Sequence, residues 1–160
     1  GATWFYTEID DLIQYEGTGY AQVSGTSVSK GLELAGSVPL GDRFTLSGSY
    51  TYTDARDEDD DPLARVPRYD LAMRLDADIT DELRAGLSVL HKADYAETFG
   101  VTGQDESDDH TVVNAQASYA FGNGLEGYVR IENLFDEDYQ VVPDYQTTGR
   151  AYYAGIRARF

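Results

Sequence analysis

The sequence has no cysteine among its 160 residues. Disulfide bonds, thiolate nucleophiles and cysteine-based zinc sites are therefore excluded from this chain. Basic side chains are scarce as well: 12 Lys and Arg residues stand against 29 Asp and Glu residues, which gives a formal net charge of -17. Because binding of a phosphate backbone needs a basic surface, this balance argues against nucleic acid as a partner.

The sequence also lacks long apolar runs. No stretch approaches the roughly twenty apolar residues of a transmembrane helix. A membrane-spanning β-strand alternates between apolar and polar residues, so this absence does not exclude a membrane. The chain is rich in Tyr (13) and Gly (16) and has only one Met and four Pro, a composition typical of strands and turns.

Apolar residues recur at every second position through most of the chain, and no segment has the three- and four-residue spacing of a helix. In one segment, for example, Leu71, Met73 and Leu75 fall on one face and charged residues fall on the other. The pattern predicts eight strands, over 4–9, 32–40, 44–53, 70–79, 83–92, 113–121, 125–132 and 152–160.

The connections between these strands alternate between two kinds. Three are tight turns, at 39–42, 80–82 and 122–124, and four are longer polar stretches, at 10–24, 54–66, 93–111 and 133–148. Short turns at one end and long acidic loops at the other are typical of an outer-membrane barrel. The predicted fold class is therefore all-β: an antiparallel, up-and-down transmembrane β-barrel with eight strands, formed by the single segment 1–160.

Alternation by itself also fits a soluble barrel whose apolar face points inward. Two features favour the membrane. The polar face carries charges of both signs, which suits a hydrated or ion-paired lumen: Arg74, Asp76, Arg84, Lys92, Arg130, Glu132, Arg157 and Arg159. Aromatic residues gather near strand ends, as interfacial girdles require; they are Phe44, Tyr50, Tyr52, Tyr119, Phe121, Tyr152 and Phe160.

The last thirty residues resemble the C-terminal end of a TonB-dependent outer-membrane transporter. The residues that carry this resemblance are Asn133, Leu134, Phe135, Asp136, Tyr139, Gly149, Arg150, Gly155 and Phe160. Asn133 and Asp136 are expected to cap free backbone groups where a strand ends, and Leu134 and Phe135 to pack back at the membrane interface. Gly149 is expected to let the chain turn. The resemblance implies that the barrel-assembly machinery recognises the last strand, with Phe160 at its periplasmic end.

Further stretches resemble the vitamin B12 (cobalamin) receptor branch of this family. They are 5–13, 49–57, Pro62-Leu63-Ala64-Arg65, 133–139 and 144–152. The resemblance implies a parent protein with a plug domain, a TonB contact and twenty-two strands, of which this chain holds the last eight. We therefore expect a fragment without a plug, either excised or from a truncated gene, that does not transport alone. If isolated, its strands should close into a small barrel, because open edges cannot be left in a bilayer.

The resemblance also implies ligand contacts. An Arg that follows a Pro-Leu pair in cobalamin receptors corresponds to Arg65, and an aromatic in the next long loop corresponds to Phe99, or to Tyr95 if the register slips. The fork of donors on Arg65 suits a corrinoid rim of amides and phosphate. Alternatively, Arg65 pairs with the acidic run 57–61 that precedes it. That run lacks the glycine and the spaced ligands of a calcium loop, and is interpreted as a solvated extracellular tip.

No catalytic constellation or cofactor motif is present, so no enzyme, metal or cofactor is predicted. His91 and His110 lie apart, without a partner at metal spacing, and are interpreted as surface or lumen residues. The primary hypothesis is a barrel segment of a transporter for a corrinoid or another scarce nutrient in the outer membrane of a Gram-negative bacterium. The alternatives are a stand-alone outer-membrane barrel with a structural or adhesive role, and a soluble ligand-binding barrel with its faces reversed.

Overall fold

A computed structural model describes residues 1–15, 19–22, 25–94, 96–98, 104–106, 109–141 and 145–159. Three residues singled out from the sequence, Tyr95, Phe99 and Phe160, lie outside these ranges. Within them, no helix is both long and apolar enough to cross a membrane.

All of the regular structure in these ranges is β-strand. In chain order the strands are β1 (Ala2–Asp10), β2 (Ile13–Tyr15), β3 (Tyr20–Gln22), β4 (Thr26–Leu40), β5 (Phe44–Arg56), β6 (Tyr69–Asp78), β7 (Leu83–Ala93), β8 (Ala96–Thr98), β9 (Gln104–Glu106), β10 (His110–Gly122), β11 (Leu125–Glu132) and β12 (Ala151–Ala158). Eight of them form one sheet in the order β1-β4-β5-β6-β7-β10-β11-β12. Every neighbouring pair is antiparallel, so the strands form an up-and-down meander.

The eight long strands confirm the strands predicted from alternation. Most extend a few residues beyond the predicted bounds, chiefly at the ends that carry the long loops. The prediction missed two small hairpins, β2–β3 and β8–β9, which lie inside the first and third long loops. The tight turns are confirmed. Gly41, Gly122 and Gly124 in these turns have positive φ values of 72°, 88° and 76°, a conformation that favours glycine.

The apolar face of the sheet points outward. Strand register places Gly36, Gly48, Met73, Val89 and Val113 in one row across it. Large apolar side chains are exposed on every long strand, and the buried apolar residues in the described ranges are only Ala55, Ala77, Ala93 and Val112. A soluble barrel would bury its apolar face, so the reversed interpretation is wrong.

Aromatic side chains occur at both ends of the outward face. At the turn end, Phe44 begins β5, and the rings of Tyr119 and Phe121 meet edge to face with centroids 5.0 Å apart. At the loop end, the ring centroids of Tyr52 and Tyr69 lie 5.7 Å apart on adjacent strands. These two groups have the positions of interfacial girdles, with a band of aliphatic side chains between them.

The sheet is open. β1 has β4 as its only neighbour and β12 has β11, so these two strands leave unpaired edges in the described structure. The expectation that the eight strands close into a small barrel is therefore wrong. A closed eight-stranded barrel has room only for packed side chains, whereas the inner face here carries long charged groups. The open curvature instead leaves a cleft of about 540 Å³ on the polar face.

Candidate functional site

The concave face of the sheet is a wall of paired charges. Three ion pairs join residues that are direct register partners on neighbouring strands: Asp70–Lys92 (3.1 Å), Asp78–Arg84 (3.1 Å) and Glu126–Arg157 (2.9 Å). Two more join residues two positions apart on one strand, Arg74–Asp76 (2.5 Å) and Arg130–Glu132 (3.2 Å). Residues at i and i+2 share a face of a strand, so both spacings bring opposite charges together.

Two aromatic rings add to this wall at the end of the sheet formed by β11 and β12. The Arg130 guanidinium lies 4.4 Å from the ring centroid of its register partner Tyr153, and that of Arg157 lies 5.9 Å from the Tyr128 centroid. These distances fit cation–π contacts. The wall is therefore polar but locally neutral, and the prediction of an ion-paired lumen face is confirmed.

The position of the Tyr128 ring explains why residue 155 is a glycine. A Cβ at this position would lie 2.6 Å from Cζ and Oη of Tyr128, because the ring lies flat across the glycine on the next strand. The sequence marked Gly155 only as part of the terminal motif. The structure adds a packing reason for the missing side chain, and the proposed role of Gly155 in assembly stays a prediction.

The chain turns a corner at residues 133–136, directly after β11, and Asn133 organises this corner. Asn133 is only 3% exposed. Its side chain accepts a hydrogen bond from the Glu137 backbone N–H (2.8 Å) and donates to the carbonyl oxygens of Glu137 (2.9 Å) and Thr148 (3.5 Å). Its own N–H donates to Oδ1 of Asn114 on β10 (2.9 Å). The predicted cap is thus confirmed, and Asn133 ties both ends of the loop 133–150 to the sheet.

Asp136 fixes the far side of the same corner. Its Oδ1 accepts the Arg150 backbone N–H (2.7 Å), and its carboxylate lies 3.7 Å from the Arg150 guanidinium. A Cβ on Gly149 would lie 3.1 Å from that Oδ1. Gly149 therefore gives room to the Asp136 carboxylate rather than supplying a positive-φ turn. Phe135 is 70% exposed and Leu134 is half-buried, and the packing of both residues at the membrane interface stays a prediction.

The loop after this corner folds over the inner face. The Tyr139 ring stacks on His110, with centroids 4.2 Å apart, and the Thr147 hydroxyl donates to the Tyr139 carbonyl (2.7 Å). His110 lies on the inner face of β10 and is 7% exposed, so of the two interpretations of this residue the lumen position holds and the exposed surface position does not. The sequence pointed to each of the two residues separately but not to their contact, because they are 29 positions apart and lie in different elements.

The second long loop, 57–68, presents Arg65 at an exposed turn with a φ of 64°. The acidic run before it is organised by Asp57, whose Oδ1 accepts the backbone N–H groups of Asp59 (3.0 Å) and Asp61 (2.9 Å). No group of three or more Asp, Glu, His or Cys side chains that could hold a metal occurs in the described ranges. Of the predicted ligand contacts, only Arg65 falls within these ranges. The roles of Arg65, Tyr95 and Phe99 in ligand binding, and of Phe160 in assembly, remain predictions.

We expect Asn133→Ala to lower the free energy of unfolding by about 2 kcal/mol, because it removes the hydrogen bonds that the Asn133 side chain makes with the backbone of Glu137 and Thr148. The measurement is the urea concentration at which the heat-modifiable folded band disappears on a gel. Asn123→Ala is the matched control, since Asn123 has the same positive φ of 51° but is exposed. Equal destabilisation by the two variants would mean that backbone strain, and not the hydrogen bonds, determines the effect.

Comparison with known proteins places this geometry among membrane receptors. A family profile described as "TonB dependent receptor-like, beta-barrel" matches residues 1–134. A vitamin B12 transporter, BtuB of Photobacterium profundum, is 27% identical over 166 aligned positions, which span 99% of this chain and 27% of the relative. An iron-regulated outer membrane virulence protein of Vibrio cholerae is 24% identical over 137 positions, or 81% of this chain and 21% of the relative.

Solved structures share the same architecture. A mutant of the ferric enterobactin receptor of Pseudomonas aeruginosa superposes with a TM-score of 0.80 at 22% identity, over 99% of this chain and 28% of that one. At this identity the similarity concerns the fold. The chain spans about a quarter of the length of the curated relatives that it matches.

Proposed function

Because this chain belongs to the TonB-dependent receptor-like β-barrel family, we propose that it is the C-terminal barrel segment of an outer-membrane transporter for a scarce nutrient. The family is one of receptors and transporters of the Gram-negative outer membrane, which is the location of this barrel segment. In this proposal the chain is one barrel segment without a plug, it has no enzymatic role, and it does not transport by itself. The plug domain and TonB would be supplied by the rest of a longer parent protein.

The open sheet is the observation that carries this proposal. An unpaired strand edge exposes backbone N–H and C=O groups that hydrocarbon cannot satisfy. The outward face of the sheet carries exposed apolar side chains that suit contact with lipid. In a bilayer, the edges of β1 and β12 therefore require further strands to pair with their backbone groups. A larger barrel supplies those strands. The alternative, a stand-alone small barrel with a structural or adhesive role, would need β1 to pair with β12.

For the ligand, we propose a corrinoid. Support comes from the relative named as a vitamin B12 transporter, which aligns with nearly the whole chain, and from the exposed position of Arg65 in the long loop 57–68. A guanidinium offers several donors to the amides and the phosphate of a corrinoid rim. The wall of paired charges below the loops suits a large polar solute without a high net charge.

Binding of cobalamin to the natural protein that contains this segment tests the ligand class. We expect Arg65→Ala to weaken the affinity about tenfold or more, since a hydrogen bond to a charged group contributes about 1.5–3 kcal/mol. Asp59→Asn, an exposed change in the same loop, is the control and should leave the affinity within about twofold. The measurement is a fluorescence or calorimetric titration.

Two outcomes would overturn different parts of the proposal. Unchanged affinity in Arg65→Ala would remove Arg65 from the site. Failure of the unmodified protein to bind cobalamin, together with tight binding of a ferric siderophore, would overturn the corrinoid assignment and leave the transporter function in place.

A further inference from the structure

The ring of Tyr128 forms a flat apolar surface in the cleft of about 540 Å³ on the polar face. Because the ring lies across Gly155, one side of it rests on the backbone of β12. Tyr128 is nevertheless 40% exposed, so the remaining surface of the ring is accessible from the cleft. A cleft of this volume is in the range of small-molecule sites, which hold a ligand through apolar surface and a few placed polar groups.

Polar side chains lie around this ring on three strands. Ser118 on β10 is the register partner of Tyr128. Glu126 and Arg130 lie two positions before and after Tyr128 on β11, and therefore on the same face of the sheet. Arg157 on β12 has its guanidinium carbon 5.9 Å from the ring centroid. A molecule placed on the ring would therefore meet hydrogen-bonding groups on several sides.

The charges around the ring are balanced. Glu126 pairs with Arg157 at 2.9 Å, and Arg130 pairs with Glu132 at 3.2 Å, so these four side chains carry no net charge. The side chain of Ser118, which also lines the cleft, makes no hydrogen bond with the part of the chain that the structure describes. Each ion pair presents donors beside acceptors, and a serine hydroxyl is both. The surroundings of the ring therefore suit a neutral ligand that both donates and accepts hydrogen bonds.

We propose that this cleft binds a neutral saccharide, with one pyranose ring stacked on Tyr128. The C–H face of a pyranose is flat and apolar, so it packs on an aromatic ring, while the hydroxyl groups around its rim both donate and accept hydrogen bonds. A phosphate or carboxylate ligand would instead need cations that are not already paired with carboxylates. The inference rests on the proposed function only in that this function places the cleft in the lumen of a transporter. The saccharide site lies on the inner wall, apart from the loop 57–68 to which we assign the corrinoid.

The test uses the natural protein that contains this segment, purified in a detergent without a sugar headgroup. Isothermal titration calorimetry measures the binding of three neutral probes, maltotriose, cellotriose and mannotriose, and of the anionic probe trigalacturonate. We expect saturable binding of at least one neutral probe, and binding of trigalacturonate that is at least about tenfold weaker. Tyr128→Ala should weaken the binding of the neutral probe about tenfold, because it removes the stacking surface, whereas Tyr128→Phe should retain it.

Tyr119→Ala is the matched control, since Tyr119 follows Ser118 on β10 but lies on the outward face, and its loss should leave saccharide binding unchanged. Heat-modifiable gel migration confirms that each variant is folded. Equal binding of the neutral probe by Tyr128→Ala and the unmodified protein would overturn the proposal. So would binding of trigalacturonate as tight as that of the neutral probes, a comparison that needs only the unmodified protein. Binding of cobalamin without binding of any neutral probe would overturn this inference alone and leave the proposed function in place.

Discussion

Replacing Gly31 with alanine should disrupt the sheet more than any other single methyl addition within β4. A Cβ at this position would lie well inside van der Waals contact of the backbone oxygen of Tyr52, and 2.6 Å from Cζ of Phe5. The ring of Phe5 can move, but the carbonyl of Tyr52 belongs to the neighbouring strand and can retreat only if β5 shifts. Overpacking that displaces backbone costs up to about 3 kcal/mol. We expect a loss of that size in the free energy of unfolding, together with poor insertion in cells.

Gly36→Ala provides the control for this prediction. Gly36 lies on the same strand but on the outward face, where an added Cβ meets nothing within 4 Å. Because glycine within a strand is less favourable than alanine by about 0.5–1 kcal/mol, this variant should be neutral or slightly more stable. Urea titration followed by heat-modifiable gel migration gives both values. If Gly31→Ala unfolds at the same urea concentration as Gly36→Ala, the close approach of Phe5 and Tyr52 to Gly31 is not a constraint on the fold.

An arginine in place of Met73 should block membrane insertion. Met73 lies in the middle of β6 on the outward face, with Gly48 and Val89 as its register partners, so the guanidinium would enter the hydrocarbon region. A basic residue near the midplane of a membrane barrel costs about 2–4 kcal/mol. We expect the level of folded protein in outer-membrane fractions to fall at least tenfold, as measured by immunoblotting of unheated samples.

The adjacent Ala72→Arg is the matched control, since it makes the same addition on the opposite face. Ala72 points to the inner wall, where the Asp70–Lys92 ion pair lies two residues away, so the new charge would enter a polar surface rather than hydrocarbon. This variant should insert at close to the normal level. The reverse order, with Ala72→Arg excluded and Met73→Arg tolerated, would mean that the apolar face is packed inside a soluble barrel.

Local periodicity in the sequence was sufficient to predict the strands. Alternation at every second residue depends only on neighbours within one strand, and the same holds for the turns, where glycine and asparagine mark positive φ. The eight long strands, their two faces and the separation of short turns from long loops could therefore be read from residues such as Leu71, Met73 and Leu75. The alternation of β1 is less regular because both of its faces carry an aromatic residue. Trp4 lies on the outer face, and Phe5 lies on the inner face against Gly31.

Contacts between residues far apart in the sequence could be identified only from the tertiary structure. The stack of His110 on Tyr139, the hydrogen bond from the Asn133 backbone to Asn114, and the ion pair between Lys30 and Asp54 each join residues about twenty or more positions apart. Such contacts depend on the register between strands and on the path of a loop, which alternation does not specify.

Closure of the barrel shows most clearly the difference between what the sequence predicts and what depends on tertiary structure. The sequence by itself determined that this protein has eight alternating strands with an apolar face and a charged face. Only the tertiary structure decided that β1 and β12 stay apart. The physical reason is that closure depends on pairing between the first and the last strand, which alternation within one strand does not specify. Paired charges of the inner face such as Arg74–Asp76 and Arg130–Glu132 are about half exposed in the open sheet and would have to be packed inside a closed eight-stranded barrel.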